Sequence, residues 1–495
     1  MGLVIFLLLL AATILLRSFI FDSLWLDETL SYWVASASYS EVCSRALEFQ
    51  GQSPFYYLIL SVWMKIFPHT EFYLRLPSLF FLAVSCFVLY KLAQYFSPKG
   101  PAVLAVVLFI SQGQVLSSIS ARPYSLSLCC ALIATYLIVS WLERPASIRL
   151  CGYCAALVAT FYAHYLFILV VLWHLFHIAV NYRGLMREKW LALFTCYLAA
   201  ALAYIPALPH LFSLGARGEE LSFAVAPSLT RFLSVTFPPN LLLYLIFSLL
   251  LCILFTQEKP RDLLSNRTSL GMLYSLLCLL LLGPLALLFS SYLLGGSLFV
   301  ERYFLWQSPA LPLLGTMLGG AIVTKRAKRM FLASICFFAL LFELDRRWEI
   351  EDWRGAITQI ESVRQKDSGE IFVYTGLIEA GDTDWLRDAS KSAYLQGPIN
   401  YYPLSQKPLL LPPNLESQPR RDYFNEVVLP ALGSDYAVYG ILSDKKFRAD
   451  GSQDISVSEY YGGEFRRLGY ESSIILDSKA LKVFKFEKIS SSSQK

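Results

Sequence analysis

Apolar runs close to the length of a bilayer crossing recur along the first 345 residues, and they restrict the chain to few architectures. A helix needs about 20 apolar residues to cross the hydrocarbon core. The runs at 3–21, 75–96, 101–119, 124–142, 149–163, 165–182, 190–212, 238–256, 268–294, 303–323 and 329–345 approach that length. The expectation is a polytopic α-helical membrane protein with about 11 transmembrane helices, within a range of about 10 to 13. Met1 to Phe21 has no cationic start and no small-residue cleavage site after it, so it reads as a retained first helix and not a removed leader. The stretch 53–68 carries Lys65 and ends in Pro68, and it reads as a helix lying in the membrane interface.

Charge divides the chain in two. Positions 1–345 hold 37 charged residues, about 11%, whereas 346–495 hold 42 of 150, or 28%. Soluble domains carry roughly 25%. The expected domains are therefore 1–345 in the membrane, including a first outer loop at 22–74, and 346–495 facing water. In the second, Trp353 to Arg364 is amphipathic, while 370–374, 435–439 and 473–486 alternate like strands, so a small α/β domain is expected. Gly397 to Pro403 reads as a turn-rich aromatic loop. Lys and Arg are spread over short loops and form no nucleic-acid footprint. All ten cysteines except Cys43 lie in apolar runs and none lies beyond 345, which argues against a disulfide framework. Cys151-Gly-Tyr-Cys154 sits inside an apolar run and reads as packing.

Orientation follows from loop charge. With the N-terminus in the cytoplasm and 53–68 in the interface, five short inner loops hold 14 basic residues against 7 in the longer outer segments. The arrangement expected is a plasma (inner) membrane protein with its C-terminal domain extracytoplasmic. The unusual polar residues then collect on the outer face. Asp27 and Glu28 follow the first helix, among aromatics. Burial raises a carboxylate pKa and suits general-base work, although an acidic pair at a helix start is also what the helix dipole favours. Arg122 and Arg302 stand at outer helix starts, where arginine either grips phosphate through paired hydrogen bonds or snorkels to lipid headgroups. His164, at another outer junction, can donate to a phosphate or simply pack. His174 and His177 are three apart on one apolar run with no carboxylate or cysteine partner, so a metal site is not expected there. The sequon Asn266-Arg-Thr268 falls on the cytoplasmic side.

Taken in order, these residues resemble a known group. Asp27-Glu28, Ser53-Pro-Phe-Tyr-Tyr57 through Phe67, Arg75-Leu-Pro-Ser78, Ala121-Arg-Pro-Tyr-Ser-Leu126, His164-Tyr165 and Glu301-Arg302-Tyr303 followed by Pro309-Ala-Leu-Pro312 span about 20–315. The set is similar to the GT-C superfamily of polyprenyl-phosphate-dependent glycosyltransferases. The branch is the family-39-like one, with protein O-mannosyltransferases, lipid A aminoarabinose transferases and lipopolysaccharide galacturonosyltransferases. Asp352-Trp-Arg354 is similar to a segment opening the outer domain in some relatives.

The resemblance implies a GT-C fold and a polyprenyl-phosphate sugar donor. It implies an acceptor hydroxyl on an envelope glycan, lipid or protein, and contact with membrane lipids. It places Asp27 as general base with Glu28 assisting. Arg122, Arg302 and His164 fall at the donor phosphate, and Tyr124, Tyr57 and Tyr303 fall among donor or acceptor contacts. Two departures stand out. Ser117-Ser-Ile-Ser120 lacks the carboxylate many relatives carry before the Ala-Arg-Pro-Tyr segment, so no metal or other cofactor is expected. Gln50-Gly-Gln52-Ser53-Pro54 replaces a Pro-Pro stretch with a nearby Lys, which leaves the donor sugar open. A membrane transporter or lipid flippase is the alternative. No internal repeat of the transporter kind is evident.

Overall fold

The computed structural model describes residues 20–216, 227–256, 267–293, 297, 299–343, 351–364, 369–432, 437–449, 453–478 and 480–489. The first expected span, apart from its last two residues, lies outside these, as do Arg217, Lys259, Arg261, Asn266 and the tail beyond 489. The chain forms two compact units. One contains Ser38–Arg346, and the other joins Ser18–Ala37 to Arg347–Lys495.

The first unit is helical. Among the described residues, five helices are long and apolar enough to cross a membrane: Glu71–Phe96, Tyr124–Glu143, Arg187–Ala216, Pro239–Thr256 and Leu270–Leu293. Tyr124–Glu143 has 72% of its apolar window buried, against 22% for Arg187–Ala216 and 28% for Pro239–Thr256. The first is therefore the central helix, and the other two present large apolar side chains outward, as lipid-facing helices must. Shorter apolar helices are Phe55–Met64, Ser147–Ala163 and Tyr165–Asn181. Ten residues of helix rise only ~15 Å, half a hydrocarbon core, so Phe55–Met64 suits the interfacial placement expected for 53–68.

Two runs that read as single spans are interrupted. Residues 101–119 form Ala102–Ile110 and Gly113–Ser117, separated where the Gln112 amide turns aside to donate to the Ser308 carbonyl at 2.9 Å. Residues 303–323 begin as a tight 3₁₀ helix, Glu301–Gln307, and continue as Ala310–Ala321 after Pro309, whose ring nitrogen has no hydrogen to give. Neither run is therefore a single uninterrupted helix.

The two histidines of helix Val170–Asn181 are hydrogen-bonded within this unit. The two His174 ring nitrogens lie 2.9 Å from the Thr135 and Tyr153 hydroxyls. His177 lies 2.7 Å from the Ser275 hydroxyl and 3.2 Å from that of Tyr95. These bonds tie neighbouring helices together. All ten cysteines are free thiols, and the Cys154 thiol reaches the Cys196 carbonyl at 3.5 Å.

The second unit is α/β. Its sheet has the order β2-β1-β3-β7-β6, with β1 Ile371–Tyr374, β2 Leu409–Leu410, β3 Val438–Ser443, β6 Tyr470–Ser478 and β7 Leu481–Lys488. The pairs β1–β2 and β1–β3 are parallel, and β3–β7 and β6–β7 are antiparallel. β4 Lys446–Ala449 and β5 Gln453–Ser456 make a separate hairpin. Every residue of β1 and β3 is buried, the pattern of strands covered on both faces. Helix Val457–Arg467 packs by stacking Phe465 on Phe486 at 4.3 Å. Helix Trp353–Arg364 buries Trp353, Ala356, Ile357 and Ile360 at helical spacing. The segment at Gly397 is a short helix, Gly397–Tyr401, and not the open loop its turn residues suggest. It lies against helix Leu26–Ala35 so closely that a Cβ at Gly397 would stand 2.6 Å from the Leu30 side chain.

Candidate functional site

The polar residues singled out by sequence fall into one group in each unit. In the helical unit the group starts from a serine-pinned turn. The Ser118 and Ser125 hydroxyls lie 2.9 Å apart, Ser125 also donates to the Ser118 carbonyl at 2.6 Å, and the Arg122 amide donates to the Ser120 carbonyl at 2.6 Å. Three short bonds inside eight residues hold Arg122 just before helix Tyr124–Glu143, with only 4% of its surface exposed. Its guanidinium donates to Gln50 Oε1 at 2.8 Å. The Tyr57 hydroxyl lies 3.3 Å from the same oxygen and from Gln52 Oε1. The Gln50-Gly-Gln52 stretch, which departs from relatives, thus joins Arg122 to Tyr57.

Arg302 enters from the 3₁₀ helix Glu301–Gln307. That segment is anchored by Phe304, fully buried in an apolar cluster with Val235, Leu287 and Phe299. Its guanidinium carbon stands 5.8 Å from the Tyr124 ring centre, and that of Arg122 stands 5.9 Å from the same centre. Two cations thus share one aromatic ring, whose electron-rich face attracts both. The His164 ring is 5.6 Å from Tyr124 and 5.3 Å from Tyr303. Burial, with the charges of Arg122 and Arg302 added, pushes the His164 imidazole down to about 3, so it is neutral at ordinary pH. Its Nδ1 and the Tyr124 hydroxyl are buried without a hydrogen-bond partner among the described residues. Arg122, Arg302, His164, Tyr124 and Tyr303 are thus one cluster, with Tyr57 attached through Gln50. Chemically, two cations so close together can hold an anion. Neighbouring guanidiniums repel, and a doubly charged phosphate replaces that repulsion with charge-assisted hydrogen bonds.

In the second unit the group surrounds the start of helix Leu26–Ala35. Glu28 is fully buried, and its carboxylate accepts the Trp25 amide at 3.3 Å, closing the first turn. Asp27 is half-buried beside it. The first-turn amide of Leu26 donates to Glu351 Oε2 at 3.0 Å, and the Trp353 indole donates to that same oxygen at 2.8 Å. The preceding loop is fixed by the Tyr402 hydroxyl, 2.9 Å from the Leu24 amide, and by the Ser23 hydroxyl accepting the Arg354 amide at 3.1 Å. Ring contacts of 4.8 Å for Tyr32 with Tyr401 and 5.7 Å for Trp33 with Tyr394 seat the rest of the helix. Burial raises the pKa of Glu351, and Asp27 adds to the rise, while the Trp353 and Leu26 hydrogen bonds and Lys445 oppose it. Burial raises that of Glu379 as well, again with a contribution from Asp27 and opposition from Lys445. Asp27 therefore lies in a field set by Glu351, Glu379 and Lys445, none of which the sequence singled out. The one signal for Glu351 is its place next to Asp352-Trp-Arg354. Among the described residues no group of three or more His, Cys, Asp or Glu is arranged to hold a metal ion.

No family model matches the sequence, and no curated protein matches it either. Solved structures do. ArnT from Cupriavidus metallidurans in the apo state superposes with a TM-score of 0.53 at 11% identity, over 98% of each chain. The structure of the same protein bound to undecaprenyl phosphate gives 0.51 at 10% identity, again over 98% of both. The apolar helices and the C-terminal sheet thus belong to one known architecture, and the chain is a polytopic membrane protein with the GT-C fold.

Proposed function

We propose that the protein is an integral-membrane glycosyltransferase. It moves one sugar from a polyprenyl-phosphate donor to a hydroxyl of an envelope glycan, lipid or protein at the outer face of the inner membrane. The observation that carries this reading is the pair of guanidiniums on the Tyr124 ring, beside a neutral His164, in a fold that in a similar protein binds undecaprenyl phosphate.

In this mechanism Arg122 and Arg302 bind the donor phosphate and stabilise the charge that grows on it as the bond from the anomeric carbon to the phosphate oxygen breaks. Neutral His164 offers a ring N–H to that oxygen. Tyr124, Tyr303 and, through Gln50, Tyr57 shape the donor side. Asp27 takes the proton of the acceptor hydroxyl as its oxygen forms the new bond to the anomeric carbon. Attack opposite the phosphate inverts the anomeric centre and needs a single carboxylate base, with no covalent intermediate. Glu28 holds the helix turn that carries Asp27. No divalent metal takes part in this scheme.

Membranes containing the full chain, given a polyprenyl phosphate bearing a labelled sugar, test the reading. Transfer is expected from the natural sequence and from His177→Ala. It falls by about 10²–10⁴-fold in Asp27→Asn, the range for loss of a general base. Undiminished transfer in Asp27→Asn overturns the base assignment. Movement of the intact lipid across the membrane without transfer identifies a flippase instead. Mass spectrometry of envelope glycans from a deletion strain then identifies the acceptor.

A further inference from the structure

A second polar site lies in the helical unit, at a segment the transferase reading does not use. An open groove of about 640 Å³ is lined by Ala179, Arg183, Arg187 and Trp190. The lining residues follow one another at helical spacing across the junction of helices Val170–Asn181 and Arg183–Tyr204, which are neighbours in space. The Arg183 Nε donates to the Ala179 carbonyl at 2.9 Å. The helix kinks at Lys189, whose backbone leaves helical values.

Beyond the kink the same helix turns apolar. Trp190, Phe194 and Leu198, four residues apart, are 58%, 55% and 46% exposed, and the first two rings lie 6.4 Å from each other. The order along the helix is two cations, an interfacial tryptophan and an outward apolar track. That is the profile of a phospholipid read from headgroup to acyl chain. Of the other charges on the segment, Lys189 adds to the cations. Glu188 follows Arg187 directly and so projects about 100° round the helix from it. Loop charge assigns this end to the cytoplasmic leaflet, opposite the outer residues discussed above.

We propose that Arg183, Arg187 and Trp190 form a binding site for the headgroup of an anionic phospholipid, whose acyl chain lies along Phe194 and Leu198. The site is independent of the sugar transfer. The arginines lead directly onto the outward face of Trp190, Phe194 and Leu198, along which an acyl chain continues and a free soluble anion does not, so the lipid is the occupant.

The full chain, purified into mixed micelles with equal amounts of phosphatidylglycerol and phosphatidylcholine of matched acyl chains, is examined by native mass spectrometry. The natural sequence is expected to retain the anionic lipid preferentially. Arg183→Gln with Arg187→Gln lowers that preference by up to about thirty-fold, the equivalent of ~1 kcal/mol for each basic residue. Arg183→Lys with Arg187→Lys keeps most of it, and Lys325→Gln with Arg326→Gln, at the basic start of helix Lys325–Glu343, keeps it all. Trp190→Ala weakens retention of both lipids. Equal losses in the two glutamine pairs, or none in the first, overturn the proposal. So does complete displacement of the lipid by added inorganic phosphate.

Discussion

The two polar groups hold their charges by opposite means. In the helical unit, Arg122 is positioned by bonds that span eight residues, and its guanidinium stands by an aromatic ring it shares with Arg302. In the second unit, the helix that carries Asp27 is capped by Glu351, 325 positions away, and Asp27 has other carboxylates for company. One group gathers positive charge from two segments, with Arg122 itself set on a rigid local turn. The other gathers negative charge on a helix whose anchors come from the far end of the sequence. A local turn tolerates change elsewhere in the chain, whereas a distant cap makes the carboxylate depend on the folding of another segment.

That contrast can be broken by substitution. The largest effect is expected at the cations. Arg122→Ala and Arg302→Ala should each reduce transfer by roughly 10²–10³-fold, with weaker donor binding, as for loss of one donor to a developing oxyanion. With both acting on one phosphate, as proposed, the double variant should lose less than the product of the two. Strict multiplicativity in transfer assays argues for separate roles. Next comes Glu351. Truncation to Ala leaves the Leu26 amide and the Trp353 indole without their acceptor, at a cost of about 1–3 kcal/mol. It should also lower transfer by ~10–100-fold through misplacement of Asp27. Glu351→Gln keeps an oxygen for both donors and should restore the melting temperature. If Gln and Ala melt alike, the distant cap is not what holds the helix.

The smallest effect concerns acid. The His164 imidazole protonates near 6.5 when unfolded and only near 3 when buried beside two arginines. Between those values the unfolded chain binds the extra proton, so stability falls as pH falls through the window, by at most ~1.4 kcal/mol per pH unit. Melting curves in detergent from pH 7 to 5 should be shallower for His164→Gln than for the natural sequence. Identical slopes would show that His164 is not buried as described.

What sequence alone revealed follows the same division. The membrane class and the strands near 371, 438 and 481 are periodic features carried by neighbouring residues. Arg122, Arg302 and His164 each drew attention as a lone polar residue at the end of an apolar run, and they do meet on Tyr124 and Tyr303. Gln50 was visible only as a departure from relatives, because a neutral amide in a loop carries no signal of the arginine it meets. Glu351 and Glu379 were two carboxylates among many in a charged segment, and only folding selects them. The breaks at Gln112 and Pro309 were hidden by the apolar residues on either side.

The cap on Leu26 also fixes an order of events during synthesis. Residues 18–37 leave the ribosome first, yet their partners begin at 347, so the helix bearing Asp27 waits for most of the chain before its first turn is closed. A nascent or truncated product stopped before 351 carries every membrane helix described here and still lacks the group that seats its acidic pair. The acidic pair is thus seated only after every membrane helix described here has been made.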